Sequence, residues 1–322
     1  MALEKALRRN LPRHPPRPGY TLRASRLPKM TGKHRIIVSA ENSAYMAWQC
    51  KLFYFSCVAR QGHQPIFIVH ANGDAWDPGF LDLVRAGAAV RPAPSYLCEK
   101  RLTTRNTVGT LLHAAQWVRP DEFIVLCDPD MIFARKTEFP SRLAGNFYSY
   151  LHYDQEHIAH AASQFGLTHR ALLKREDQIR CGVPYVIPAA HAARLGEVWL
   201  DAMDCFSIAG RGWDSVWLDV MFAFGLAVAK LGWTVATFDA VDMNDQCESP
   251  LRHPILHYCL GDDAWDKRWF RSDEKVHDVW DSTFQATEGS VAQELFGQME
   301  EARRFYRESF LNLPLGHLRT SA

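Results

Sequence analysis

Asp128 and Asp130 stand one residue apart at the end of the apolar run Phe123-Ile124-Val125-Leu126-Cys127, and a second apolar stub, Met131-Ile132-Phe133, follows them. The run is bounded by Arg119-Pro120 and Arg135-Lys136 and reads as a fully buried strand. Both carboxylates then sit where that strand leaves the sheet, at its carboxyl end. Open α/β sheets bind ligands at that edge. Two carboxylates there are unfavourable unless a cation or hydrogen bonds compensate them. A divalent metal holding a diphosphate explains both the residue type and the location.

A second strand-end element, Leu256-His257-Tyr258-Cys259-Leu260-Gly261, lies toward the C-terminus. His257 can supply a neutral imidazole, and Gly261 lets the backbone approach a phosphate closely. Asp128, Asp130 and His257 would give two oxygens and one nitrogen, with diphosphate oxygens and water completing an octahedron. Such mixed ligation suits Mn²⁺ at least as well as Mg²⁺. Lys267 and Arg268 follow Gly261 and are placed to hold the diphosphate as charge builds on it. Each residue has a plainer alternative. His257 could be a hydrogen-bonded core histidine, and Lys267 and Arg268 a solvated surface pair. The three elements together predict a nucleotide-sugar transferase of the GT-A type, whose metal clamps the departing nucleoside diphosphate.

The elements that must position these residues alternate between strand and helix. Arg35 to Ser39 reads as a strand feeding a helix from about Ser43 to Arg60, where Met46, Cys50, Phe53, Tyr54 and Cys57 recur at helical spacing. Pro65 to His70 is the next strand. Pro78 to Ala86 is helical, with Asp77 as N-cap and Gly87 as the stop. Ala88 to Val90 is a third strand, and Asn106 to Val118 is a helix before the strand that ends at Asp128. The alternation predicts an α/β, Rossmann-like, mostly parallel sheet with helices on both faces. Farther on, Asn146 to Tyr150, Val183 to Ile187, Trp233 to Phe238 and Ile255 to Cys259 read as strands, Pro184 marking an edge or a bulge. Ala189 to Cys205, Trp213 to Leu231 and about Val291 to Phe310 read as helices. No internal repeat and no compositional break appears, so residues 35–322 are read as one domain with a C-terminal helical extension.

Composition narrows the classes. The chain has 322 residues with 37 basic against 36 acidic, a net charge of +1, which gives no case for a nucleic-acid partner. No segment approaches the roughly eighteen consecutive apolar residues of a membrane span. The eight cysteines are scattered without a CxxC pair, several inside apolar runs. They read as free buried thiols in a reducing cytoplasm rather than a disulfide framework or a zinc site. Residues 1–34 are basic and proline-rich with no apolar core of a signal peptide, and read as a poorly ordered leader. Neither a Gly-x-x-x-x-Gly-Lys-Ser/Thr loop nor a Gly-x-Gly-x-x-Gly turn is present, which sets aside P-loop and dinucleotide chemistry.

Four blocks in order resemble the plant hydroxyproline O-arabinosyltransferases and the related peptidyl-serine galactosyltransferases. They are Ser39 to Gln49 followed by Phe67 to His70; Asp128-Pro129-Asp130; Gly212-Trp213-Asp214 with Asp219 to Ala223; and His257 to Gly261. The resemblance spans Arg35 to about Phe270. It implies a metal-dependent GT-A transferase working with retention on a UDP-sugar, the sugar being arabinofuranose, galactose or similar. The acceptor would be a hydroxyl on a peptide, a glycan or a small molecule. The membrane anchor and longer loops of the plant proteins are missing from this sequence, so hydroxyproline itself is not carried over.

Retention requires either attack by a carboxylate or entry of the acceptor from the leaving-group face. Asp214 and Asp219 are the candidate carboxylates. Asp219 lies among Val216, Trp217, Leu218, Val220 and Met221 and should need a partner, whereas Asp214 could simply cap that helix. The loop Ala40, Glu41 and Asn42 is placed to contact uracil and ribose. Arg105 and Asn106 are further donor contacts, Trp48 and Gln49 possible binders, and Trp265 and Trp269 platforms for a sugar. Asp130→Ala is expected to abolish metal-dependent donor binding with the fold intact. Two other classes remain open: a metal-dependent nucleotidyltransferase or phosphohydrolase, which would need more converging carboxylates, and a non-catalytic nucleotide-sugar-binding protein.

Overall fold

Strand β1 (His34–Glu41) starts at the last residue of the basic leader and runs through the middle of a seven-stranded sheet. The computed structural model describes residues 32–311 apart from 72, 74, 98–103, 149–154, 169, 171, 173–174, 207–216, 245–246, 260, 264 and 281–284. Of the leader, residues 1–31 therefore lie outside the described residues.

Helix α1 (Ala44–Ser56) follows, capped by Ser43, whose hydroxyl accepts from the Met46 amide at 3.3 Å. It is apolar almost all round because it is sandwiched rather than laid on a surface. A π-helical turn (Cys57–Gln61) ends at Gly62, whose φ of 71° is the left-handed stop. Strand β2 (Ile66–Ala71), helix α2 (Pro78–Arg85), strand β3 (Ala89–Pro94) and helix α3 (Arg105–Ala114) lead to β4 (Phe123–Cys127), in which every residue is buried. Asp77 caps α2 by accepting from the Gly79 amide at 2.8 Å. Pro92 and Pro94 lie in β3, an edge strand, where a missing amide is tolerated.

The sheet order is β3-β2-β1-β4-β7-β6-β8, where β6 is Ala144–Phe147, β7 Cys181–Pro188 and β8 Ala236–Phe238. Four of its six pairings are parallel and two, β4 with β7 and β6 with β7, are antiparallel. The chain walks from β1 outward through β2 to β3 and then returns across the sheet to β4. Right-handed crossovers put α1 and α2 on one face and α3 on the other. Accordingly α1 packs on α2 and on α8 (Val291–Leu311), whereas α3 packs on α6 (Ala189–Met203), which in turn meets α7 (Asp219–Lys230). Between β1 and β4 the connections diverge to opposite faces. That divergence opens a crevice at their carboxyl ends.

Met131-Ile132-Phe133 does not continue β4. It forms β5 of a separate three-stranded sheet, ordered β5-β10-β9, with β9 at Val241–Met243 and β10 at Ile255–His257. Asp128, Pro129 and Asp130 are thus the corner between two sheets. Pro184 lies in β7, which is interior, so the edge alternative fails and the bulge holds. The β6–β7 register shifts between Gly145 and Asn146, leaving Val183 and Pro184 without partners on β6. Helices α4 (Gln155–Gln164) and α5 (Glu176–Ile179) and strand β9 were not legible as elements in the sequence. One apolar cluster, including Val125, Phe133, Leu256 and Leu295, runs through both sheets and into α8. Among the described residues no helix is long and apolar enough to cross a membrane.

Candidate functional site

The corner after β4 meets the end of β10. His257 pairs with Met131 in the antiparallel β5–β10 ladder, and the Tyr258 amide donates to the Asp130 carbonyl at 2.9 Å. This register brings one ligand atom each from Asp128, Asp130 and His257 within 4.8 Å of one another. His257 Nε2 lies 3.2 Å from Asp130 Oδ1 and 4.0 Å from Asp128 Oδ2. On its other side, Nδ1 lies 3.2 Å from the Tyr148 hydroxyl, which donates its own proton to the Val183 carbonyl at 2.5 Å. A carbonyl can only accept, so the Tyr148 oxygen must accept from Nδ1–H. That makes Nδ1 the donor to Tyr148 and leaves Nε2 facing Asp130, where it carries a proton in the metal-free site and would have to give it up to ligate a cation.

Both oxygens of Asp130 are engaged: Oδ1 by His257 and Oδ2 by the Lys267 ammonium. Burial opposes charge on Asp130, but Lys267 and His257 win and hold its carboxyl well below the usual carboxylate range. Burial likewise opposes charge on His257 and on Lys267. Cys259 and Asp130 hold the imidazolium well above the usual histidine range, and Asp130 raises Lys267. Asp128 behaves oppositely, pushed up to about 6 by burial and by the Asp130 charge. Among the described residues no hydrogen bond reaches the Asp128 carboxylate. Two hard carboxylates, one lacking a hydrogen bond, and one oriented imidazole fit a Mn²⁺ or Mg²⁺ ion well.

These groups line a cavity of about 160 Å³. Ala40 and Glu41 line its β1 side, as the strand order requires, and Gln49 its α1 side. Glu41 accepts from Asn106 Nδ2 at 3.3 Å, and burial raises its pKa. Tyr148, Val183, Tyr185, Trp217, Val220 and Met221 form an apolar wall on the β7 and α7 side.

Several predicted contacts lie elsewhere. Asn42 braces the loop instead, donating to the Ala75 carbonyl at 2.7 Å and accepting from the Asp77 amide at 2.9 Å. Arg105 turns to Asp204 at 2.5 Å, off the cavity, because α3 packs against α6. Arg268 is exposed and forks onto Asp266, so of the two predicted cations only Lys267 lines the cavity. Trp48 is core, stacked on Tyr258, and Trp265 is core between Tyr258, Phe270 and Phe296. Trp269 is exposed. Asp219 lies behind the wall that Val220 and Met221 present to the cavity. It is buried, and His157 Nε2 sits 3.3 Å from its Oδ1, the partner its position demanded. Asp214 lies outside the described residues.

Sequence reasoning missed Tyr148 and Tyr185 as supports of the site, and took Asn106 for a donor contact where it holds Glu41. Tyr148 stood in the predicted strand Asn146 to Tyr150, but nothing in that pattern tells which face meets a histidine more than a hundred residues away. Comparison of the chain with protein-family models and with curated proteins finds no match.

Proposed function

We propose that this protein is a metal-dependent, retaining glycosyltransferase of the GT-A type that moves a sugar from a UDP-sugar to a hydroxyl on a peptide, glycan or small molecule. The observation that carries the proposal is the convergence of Asp128, Asp130, His257 and Lys267 at the carboxyl ends of β1 and β4. Asp128, Asp130 and His257 would hold Mn²⁺ or Mg²⁺. A bound ion of this kind supplies Lewis-acid stabilisation of charge building on a departing diphosphate.

The chain's own groups do the rest. Lys267 provides a second cation for that charge, as a point charge with three donors. Tyr148 fixes the imidazole so that Nε2 faces the ion site. Glu41, at the end of β1, meets the nucleoside, and its carboxylate can accept from hydroxyl or ring N–H donors. The apolar wall keeps water from the anomeric carbon. Asp219, paired behind that wall, is not placed to attack the anomeric carbon, which favours retention by entry of the acceptor from the leaving-group face. The departing phosphate takes the acceptor proton, and no protein base is required.

Thermal unfolding with UDP, GDP, ADP and CMP, each with Mn²⁺, Mg²⁺ or EDTA, tests the donor half. UDP with Mn²⁺ is expected to add about 2.7 kcal/mol of stability at a hundredfold excess over its Kd. EDTA should remove the gain, and the absence of a shift with any nucleotide would defeat the proposal. Tyr148→Phe removes the acceptor of Nδ1–H and should weaken Mn²⁺ binding about 10- to 100-fold without changing the ligands. An unchanged Mn²⁺ titration would show that the tautomer is set elsewhere.

A further inference from the structure

We infer that Lys267 is a competing cation that makes metal binding conditional on a diphosphate. The inference rests on the proposed function and specifies how the same site is regulated. Its ground is that Lys267, carried into the site by the turn Lys267–Phe270, spends its ammonium on Asp130 Oδ2. Asp130 is 6% exposed, and its other oxygen is taken by His257. A divalent ion binding alone must share Asp130 with a half-buried ammonium of like charge, in surroundings where screening is weak.

A diphosphate changes the balance. Its oxygens offer the ammonium a second set of acceptors while bridging to the ion, so Lys267 leaves Asp130 Oδ2 for the phosphate and frees that oxygen. Ion and diphosphate then bind with positive coupling, and by linkage each raises the other's affinity by the same factor, typically 5- to 150-fold. The chemistry of the ligand follows. Only a molecule with clustered phosphate oxygens within reach of both Lys267 and the ion gains from the exchange, so UDP couples and uridine does not. The site stays closed to free divalent ions until donor arrives.

The test uses the whole protein and the electron paramagnetic resonance signal of free Mn²⁺. Mn²⁺ affinity is measured alone, with uridine and with UDP, in the parent and in Lys267→Met. The parent should show weak Mn²⁺ binding that UDP, but not uridine, tightens by at least fivefold. Lys267→Met should bind Mn²⁺ alone more tightly and should lose most of the effect of UDP. If Lys267 only grips the diphosphate, its loss weakens UDP equally with and without Mn²⁺, the coupling factor survives, and the inference fails while the proposed function stands. If the parent binds no Mn²⁺ under any condition, the metal site itself is wrong and both fall. Lys267→Gln repeats the measurement should the methionine variant not fold. If neither folds, Lys267 is a structural counter-ion of Asp130 and the competition is refuted.

Discussion

Asp130→Ala is expected to lose about 3–5 kcal/mol of folding stability along with Mn²⁺-dependent UDP affinity. The sequence alone suggested that this variant would keep its fold. In the structure Asp130 is the shared counter-ion of His257, which is buried, and of Lys267, which is half-buried, and truncation takes from both the anion they hydrogen-bond. Urea midpoints at neutral pH with EDTA present should therefore fall well below the parent's. Adding Lys267→Met should restore much of the stability, because the uncompensated ammonium goes with it, yet leave UDP affinity lost. A parental midpoint for Asp130→Ala alone would mean that the ion pairs at this corner contribute little.

Asp128→Asn should act in the reverse direction on stability. The Asp128 carboxyl is raised to about 6 in the folded chain, against about 3.9 unfolded. A raised folded pKa means that folding takes up a proton. Its stabilising contribution is full below about pH 4 and is lost as pH rises through about 6. At pH 7 the ionised carboxylate is a net cost. A third of the side chain is exposed, so solvent screening reduces that cost to about 1 kcal/mol. The metal-free asparagine variant should thus be about 1 kcal/mol more stable than the parent at pH 7 and lose the advantage near pH 4. Its Mn²⁺-dependent UDP affinity should fall more than about 100-fold, since an amide is a poor substitute for a hard anionic ligand. Gain of stability with loss of binding is the signature of a residue kept for a ligand rather than for the fold. Retained UDP affinity would remove Asp128 from the ligand set.

The first half of the fold was legible because each element carries its own local signal. The buried run Phe123 to Cys127, the Asp77 cap and the periodicity of α1 all lie within single windows of sequence, and each element fell within a few residues of expectation. Asp128, Asp130 and His257 were legible as a set because strand ends announce themselves and the residue types are unusual there. What failed depended on which neighbour each side chain finds, close by or far along the chain. Arg105 and Arg268 looked like phosphate ligands by type, but each had a carboxylate nearer at hand, Asp204 and Asp266. Trp265 looked like a sugar platform and Trp48 like a possible binder, but both fill the space around Tyr258. The apolar wall was invisible, since Tyr148, Val183 and Met221 come from three elements that no periodicity connects.

The β5–β10 ladder has a consequence for how the protein is made. Asp130 and His257 are 127 residues apart in the chain, and only the pairing of His257 with Met131 sets them side by side. Translation at about 5–20 residues per second leaves an interval of roughly 6 to 25 s in which the carboxylates exist and their imidazole does not. A nascent chain in that interval holds an acidic corner with neither its histidine nor its lysine, able to collect whatever divalent ion is abundant. The finished ladder brings the imidazole to that corner, and the turn Lys267–Phe270 that follows brings the ammonium. On the proposed function, the full ligand set for the working ion would thus exist only in the completed protein.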